Sequence, residues 1–335
     1  MKRRILLQAG LSLGLAPLLP ALAADRRHKV MLLLYRGVTA AERGFMDYLQ
    51  RQLPVDFIIR DAGSDKAKLP AMVAEAKALR PDLIYTFGTT VTAETVGSFA
   101  QRDPSRHIAD IPVVFNIVAD PVGAGLAPDT RSSLRNLTGV SHLAPPEAQW
   151  QALLRFGTPK RIAIVYSQNE KNSVLASARL TKLAQQAGAT VKVEGIKTDA
   201  DGKPTVQGLA STLSELLADK PDWLYLPSDS FLIAHAAAAV TQAQVAGVPV
   251  FAATEEPVRQ SGALAGLVSP YYAAGQFAGF KAEQILSGKR KASELPLDTL
   301  ARFTYLVNIH SARQLRRYPP LALLRYAEIV GAAPA

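Results

Sequence analysis

Acids, amides and an arginine stand where apolar runs stop, and that placement is the first pointer to chemistry in this chain. Residues 111–126 read IPVVFNIVADPVGAGL, in which a strand-like run ends at Asn116 and a loop carrying Asp120, Pro121 and two glycines follows. Loops at strand ends are where α/β folds keep their ligand sites. Arg36 closes the run KVMLLLYR in the same way, and its planar fork of donors suits a carboxylate or a phosphate. Gly88, Thr89 and Thr90 follow DLIYTF at what reads as a helix start. The first N–H groups of a helix lack internal partners and carry partial positive charge, so this turn can accept an anion. Equally, Thr89 can cap its own helix. Glu255 and Glu256 follow the run VPVFAAT, and carboxylates can hold a cation through charge-assisted hydrogen bonds.

The constellations that enzymes need are missing. The five histidines, His28, His107, His142, His235 and His310, are scattered with no pair at metal-ligand spacing, and there is no cysteine. No serine sits in a Gly-x-Ser-x-Gly elbow, and DPVGAGL lacks the third glycine of a dinucleotide fingerprint. TDADGKPT (198–205) mimics part of a calcium loop but lacks its closing Glu, and reads as a polar turn before a helix. Neither a metal nor a cofactor is expected.

The 335 residues, 48% hydrophobic and 20% charged, are globular in composition and long enough for two domains. Residues 1–24 carry three positive charges, an apolar run broken by Pro17 and Pro20, and Ala21-Leu22-Ala23. That is the layout of a cleavable secretory signal; a membrane anchor is the alternative, but the run is short for a bilayer span. Arg3-Arg4 also resembles a twin-arginine signal. Without cysteine no disulfide or lipidated thiol can form, so a soluble periplasmic protein is expected. The formal charge of +10 falls to +7 once Lys2, Arg3 and Arg4 are set aside, since no acid precedes Asp25. The basic runs GKRKASE (288–294) and ARQLRRY (312–318) read as solvated surface rather than a nucleic-acid patch.

To position the strand-end residues, the chain must alternate strands and helices. Strand-like runs at 29–36, 55–61, 82–88 and 111–116 are separated by helical patterns at 39–53, 65–80 and 90–102. After Pro145-Pro146 the alternation restarts, with strands at 161–167, 190–196, 222–227 and 248–253 and helices near 171–187, 205–219 and 231–246. Near-continuous apolar strands between helices indicate parallel sheets covered on both faces. The tail adds a strand at 263–270, a helix at 271–288 and a strand at 302–309. The reading is α/β: a first lobe of 25–142 plus about 264–290, and a second of 143–263 plus about 300–335, joined by several crossovers that form a hinge.

IPVVFNIVADPVGAGL, NLTGVS (136–141), RIAIVYSQNEKNSV (161–174), LYLPSDS (224–230), VPVFAATEE (248–256) and LVNIHSARQL (306–315), in this order, resemble the ABC-transporter substrate-binding proteins of the tryptophan/tyrosine-uptake type. The resemblance implies a type I periplasmic-binding fold, two Rossmann-like lobes closing on a small solute without catalysis. It also implies a partner inner-membrane ABC permease with its cytoplasmic ATPase; a monomer with no nucleic-acid partner is expected. By the same resemblance Asp120-Pro121 and Gly88-Thr89-Thr90 line the cleft from the first lobe. Asn169, Asn172 and the acid Asp229 line it from the second, with Glu255 nearby. Helix capping is the alternative for Asp229 and Ser230. Tyr271 and Tyr272 begin a helix beside the cleft and can stack on a ring or pack the core. One departure stands out: the first loop, YRGVTAAERGF, is shorter than in amino-acid-binding members and puts Arg36-Gly37 directly after the strand. A periplasmic ligand-sensing module for a signalling partner, and an exported enzyme, are the competing functions; the missing catalytic constellation counts against the enzyme.

Overall fold

The computed structural model describes residues 27–331, and the secretory signal assigned to 1–24 lies outside the described residues. Strands β1 (His28–Leu34), β2 (Val55–Asp61), β3 (Leu83–Phe87), β4 (Val113–Val118) and β5 (Leu137–Ser141) build a first sheet. Strands β6 (Arg161–Tyr166), β7 (Thr190–Gly195), β8 (Trp223–Leu226), β9 (Val250–Ala252) and β10 (Ala265–Val268) build most of a second. β11 (Leu297–Thr299) returns to the first sheet, and β12 (Thr304–Asn308) and β13 (Glu328–Val330) to the second. The orders are β11-β5-β4-β3-β1-β2 and β13-β12-β10-β9-β8-β6-β7. The ladders are parallel except β10 with β12. Every residue of β3 and β4 is buried, because helices cover both faces of a parallel sheet; that is why these strands read as unbroken apolar runs.

The chain crosses between lobes three times: after β5, after β10, and between β11 and β12. This corrects one boundary. The sequence pattern puts residues 264–270 with the first lobe, but β10 lies beside β9 and antiparallel to β12 in the second sheet. Only from Tyr271 onward does the segment return to the first lobe, where helix Tyr271–Leu286 packs along helix Ala40–Gln52. Two glycines permit that approach: a Cβ on Gly44 would lie 2.1 Å from the Tyr272 carbonyl oxygen, and one on Gly275 2.0 Å from that of Ala41. Helix Ala40–Gln52 starts with a capping box, the Thr39 hydroxyl accepting from the Ala41 N–H while the Glu42 carboxylate accepts from the Thr39 N–H.

Smaller differences have local causes. The helix read at 90–102 runs from Gly88 to Val96, ended by Gly97 at φ +67°. The helix read at 231–246 breaks at His235 into Ser230–Ala234 and Ala236–Val245.

Candidate functional site

The C-terminal ends of the two parallel sheets face each other and enclose a narrow cavity of about 30 Å³, room for about two waters. From the first lobe it is lined by Tyr35 and Arg36 after β1, by Phe87, Gly88, Thr89 and Thr90 at the end of β3, and by Ile117 and Tyr271. The second lobe contributes Glu170, Asn172, Ser228, Ser230 and Ile233.

Gly88 takes φ +77° and opens the Gly88–Val96 helix, and no side chain caps that helix start. Its first N–H groups therefore point at the cavity with partial positive charge. The C-terminal end of this helix is held by the buried Arg135, whose guanidinium donates to the carbonyls of Val96 and Gly97. Burial pushes the Arg135 guanidinium down to about 10, with Arg102 adding to the shift. Ile117 sits at a register shift between β4 and β5 with φ +58°, an uncommon conformation for a β-branched residue. Such strain tends to occur where a strand end is shaped for a ligand.

Arg36 spans the cleft: its Nη1 donates to Glu256 Oε2 of the second lobe at 2.7 Å, and its guanidinium lies over the Phe87 ring at 5.3 Å. Burial alone would lower this guanidinium, but Tyr271, Glu256 and Glu42 around it more than compensate and hold it raised. Lys66 Nζ makes a second bridge, donating to the Asn169 carbonyl at 3.2 Å. Where the chain crosses after β5, buried His142 Nε2 meets Oγ of the cavity-lining Ser228 at 3.1 Å. Burial pushes this imidazole down to about 3, so it is neutral at physiological pH. Its Nδ1 and the Tyr271 hydroxyl, both buried, have no partner. Burial raises the Tyr271 hydroxyl, and Arg36 opposes that.

Opposite the helix start stands Glu170, a residue that sequence reasoning missed. Its carboxylate accepts from the Ser230 N–H at 3.1 and 3.2 Å, and burial, reinforced by the neighbouring Asp229, pushes it up to about 7. It also acts on Tyr35, pushed up to about 12 by burial first and by Glu170 and Asp65 next.

Of the residues singled out from sequence, Arg36, Gly88, Thr89, Thr90, Asn172 and Tyr271 come together at the cavity, and Asp120, Pro121, Asn169, Asp229 and Glu255 do not line it. Asp120 is exposed and folds back on its own loop, Oδ1 accepting from the N–H groups of Val122 and Gly123 at 3.1 and 2.8 Å. Pro121 is buried within that turn and Asn169 faces solvent. Asp229 is 1% exposed and fully engaged: it accepts from Ser167 N–H and Oγ, Ser173 Oγ and Leu232 N–H at 2.6–2.9 Å. Glu255 caps helix Tyr271–Leu286 by accepting the Tyr271 N–H at 2.9 Å and pairs with Arg259. Asp120, Asp229 and Glu255 thus each hold a turn or a helix start of this fold. The signal for Glu170 was its place directly after Ser167-Gln168-Asn169, at the end of β6.

A protein-family model described as ABC transporter substrate binding protein matches residues 27–330. A tyrosine-binding protein of Clostridioides difficile strain R20291 is 25% identical over 298 residues, which are 85% of this chain and 79% of that protein. Among solved structures, an ABC domain from Streptococcus pneumoniae in complex with L-Trp superposes with a TM-score of 0.79 at 23% identity, covering 91% of this chain and 100% of the other. A ligand-free, open substrate-binding protein with adhesive properties from Clostridium difficile gives 0.66 at 24% identity with the same coverage.

Proposed function

The chain belongs to the ABC transporter substrate binding protein family, and on that premise we propose that it is the periplasmic solute receptor of an ABC importer, holding a zwitterionic solute of amino-acid type between its lobes. Its two lobes have the type I periplasmic-binding fold. The observation that carries the reading is the opposition of two unlike ends across one cavity. The uncapped Gly88–Thr90 helix start and Arg36 offer donors to a carboxylate, and Glu170 in the other lobe offers an acceptor to an ammonium. Phe87, Tyr271, Ile117 and Ile233 supply apolar walls between them. The tyrosine-binding relative and the L-Trp complex support the same ligand class.

The cavity is too narrow for an amino acid as it stands, so solute entry requires the lobes to part, and the three crossovers provide the hinge. Parting breaks Arg36–Glu256 and Lys66–Asn169. A solute carboxylate can then replace Glu256 as the partner of Arg36. The receptor delivers its solute to the membrane permease as a monomer, with neither cofactor nor catalytic step. Calorimetric titration with L-tyrosine, L-tryptophan, their decarboxylated amines and a plain dicarboxylate tests this. Binding of the amino acids alone is the expected result; binding of the dicarboxylate with none of the amino acids would overturn it.

A further inference from the structure

Residues 313–326, RQLRRYPPLALLRY, form the crossover between β12 and the edge strand β13, and contain four arginines and no acid. Leu323 turns into the second lobe's core. Around it, Arg313, Arg316, Arg317 and Arg325 are all exposed, and none makes an ion pair among the described residues. Interleaved with them are three large, exposed apolar side chains: Leu321 is 83% exposed, Tyr318 63% and Tyr326 58%. Uncompensated arginines around protruding Tyr and Leu side chains are not an ordinary solvated face.

We propose that this crossover is a membrane-docking surface that holds the second lobe against anionic phospholipid headgroups. The arginines fit lipid phosphates, each Lys or Arg near an anionic surface adding to the attraction. Tyrosine has the amphipathic ring favoured at headgroup depth, and a leucine as exposed as Leu321 can enter the boundary between headgroup and acyl chain. A second copy of this chain is a poorer occupant, because a two-fold contact sets the same patch against itself and brings eight like charges together. A protein partner is also a poorer fit, since binding hot spots sit in packed, desolvated pockets and these side chains stand largely exposed. The surface is separate from the cleft, so the inference goes beyond the solute-binding reading and does not depend on it.

The test is co-sedimentation of the full chain with vesicles of phosphatidylglycerol mixed with phosphatidylcholine, against phosphatidylcholine alone, at low and high salt. Wild type, Arg316→Glu/Arg317→Glu and Leu321→Ser are run in parallel, so that any contribution of residues 1–24 is common to all. The expected result is salt-sensitive binding to the anionic vesicles, reduced roughly tenfold or more in the double variant and also reduced in Leu321→Ser. Melting curves unchanged from wild type establish that both variants are folded. Equal binding by all three proteins, equal binding to both vesicle types, or no binding overturns the proposal. So does self-association in sedimentation that the double variant abolishes without any lipid effect. Loss of lipid binding with solute titration intact separates this surface from the cleft.

Discussion

Asp229→Ala is expected to unfold the second lobe more readily rather than to act through the ligand. The carboxylate accepts four hydrogen bonds, two from buried backbone amides and two from serine hydroxyls. The hydroxyls can rotate to other acceptors, but the Ser167 and Leu232 amides cannot. Each orphaned buried donor costs about 1–3 kcal/mol, and removal of the cap on helix Ser230–Ala234 falls within the Leu232 share. The sum is about 2–6 kcal/mol, roughly one and a half to four powers of ten in the folded ratio. Asp229→Asn keeps one acceptor oxygen but turns an NH₂ toward one of the two amides, and should lose about half as much. Both tryptophans, Trp150 and Trp223, lie in the core of this lobe, so their fluorescence during urea unfolding reports on it directly. A shift in the urea midpoint worth under about 1 kcal/mol, together with weakened solute binding, would refute this reasoning and return Asp229 to the ligand.

Glu256→Gln should weaken the bridge to Arg36 and shift the lobes toward the open form by about 1–2 kcal/mol, read as a larger radius of gyration in solution scattering without solute; an unchanged profile would mean that the bridge does not hold the cleft. Glu170, pushed up to about 7, makes the solute-free fold more stable below the ordinary carboxylate range, and that stability is lost as pH rises through about 7. Affinity for an ammonium-bearing solute should rise over the same interval, and Glu170→Gln should weaken binding and flatten the pH profile; a profile unaltered by the substitution would exclude Glu170 as the ammonium partner. Gly275→Val should drive helix Tyr271–Leu286 off helix Ala40–Gln52 and destabilise the first lobe by about 1–3 kcal/mol. Circular-dichroism melting should show this as an early transition that the tryptophans of the other lobe follow less; a wild-type melt would show that the helices can separate freely.

The alternation of strands and helices was legible because β1, β3, β4, β6 and β8 are sandwiched between helices and must be apolar nearly throughout. β11 and β13 were not legible. They are three residues long, carry Asp298 and Glu328, and exist only because a neighbouring strand offers them a ladder. β10 was legible as a strand but not as part of its lobe, since membership is decided by pairing with β9 and β12 and not by its own residues. The site divides along a similar line. Arg36 and the Gly88–Thr90 turn were legible as residues that line the cavity, because each directly follows an apolar strand run. Acids were harder, because Asp and Glu are at once good caps and good ligand contacts. What separates them is saturation. Asp120, Asp229 and Glu255 each find their donors in a turn or at a helix start, and those donors are satisfied whether or not a solute is bound. Among the described residues Glu170 meets a single backbone amide, that of Ser230, with the Ser230 side chain and the Lys66 charge also acting on it, and it faces the opposite lobe across the cavity. A buried carboxylate with acceptor capacity to spare is disfavoured in its charged form until a cation arrives, and that is the condition a receptor needs if closure is to depend on its solute.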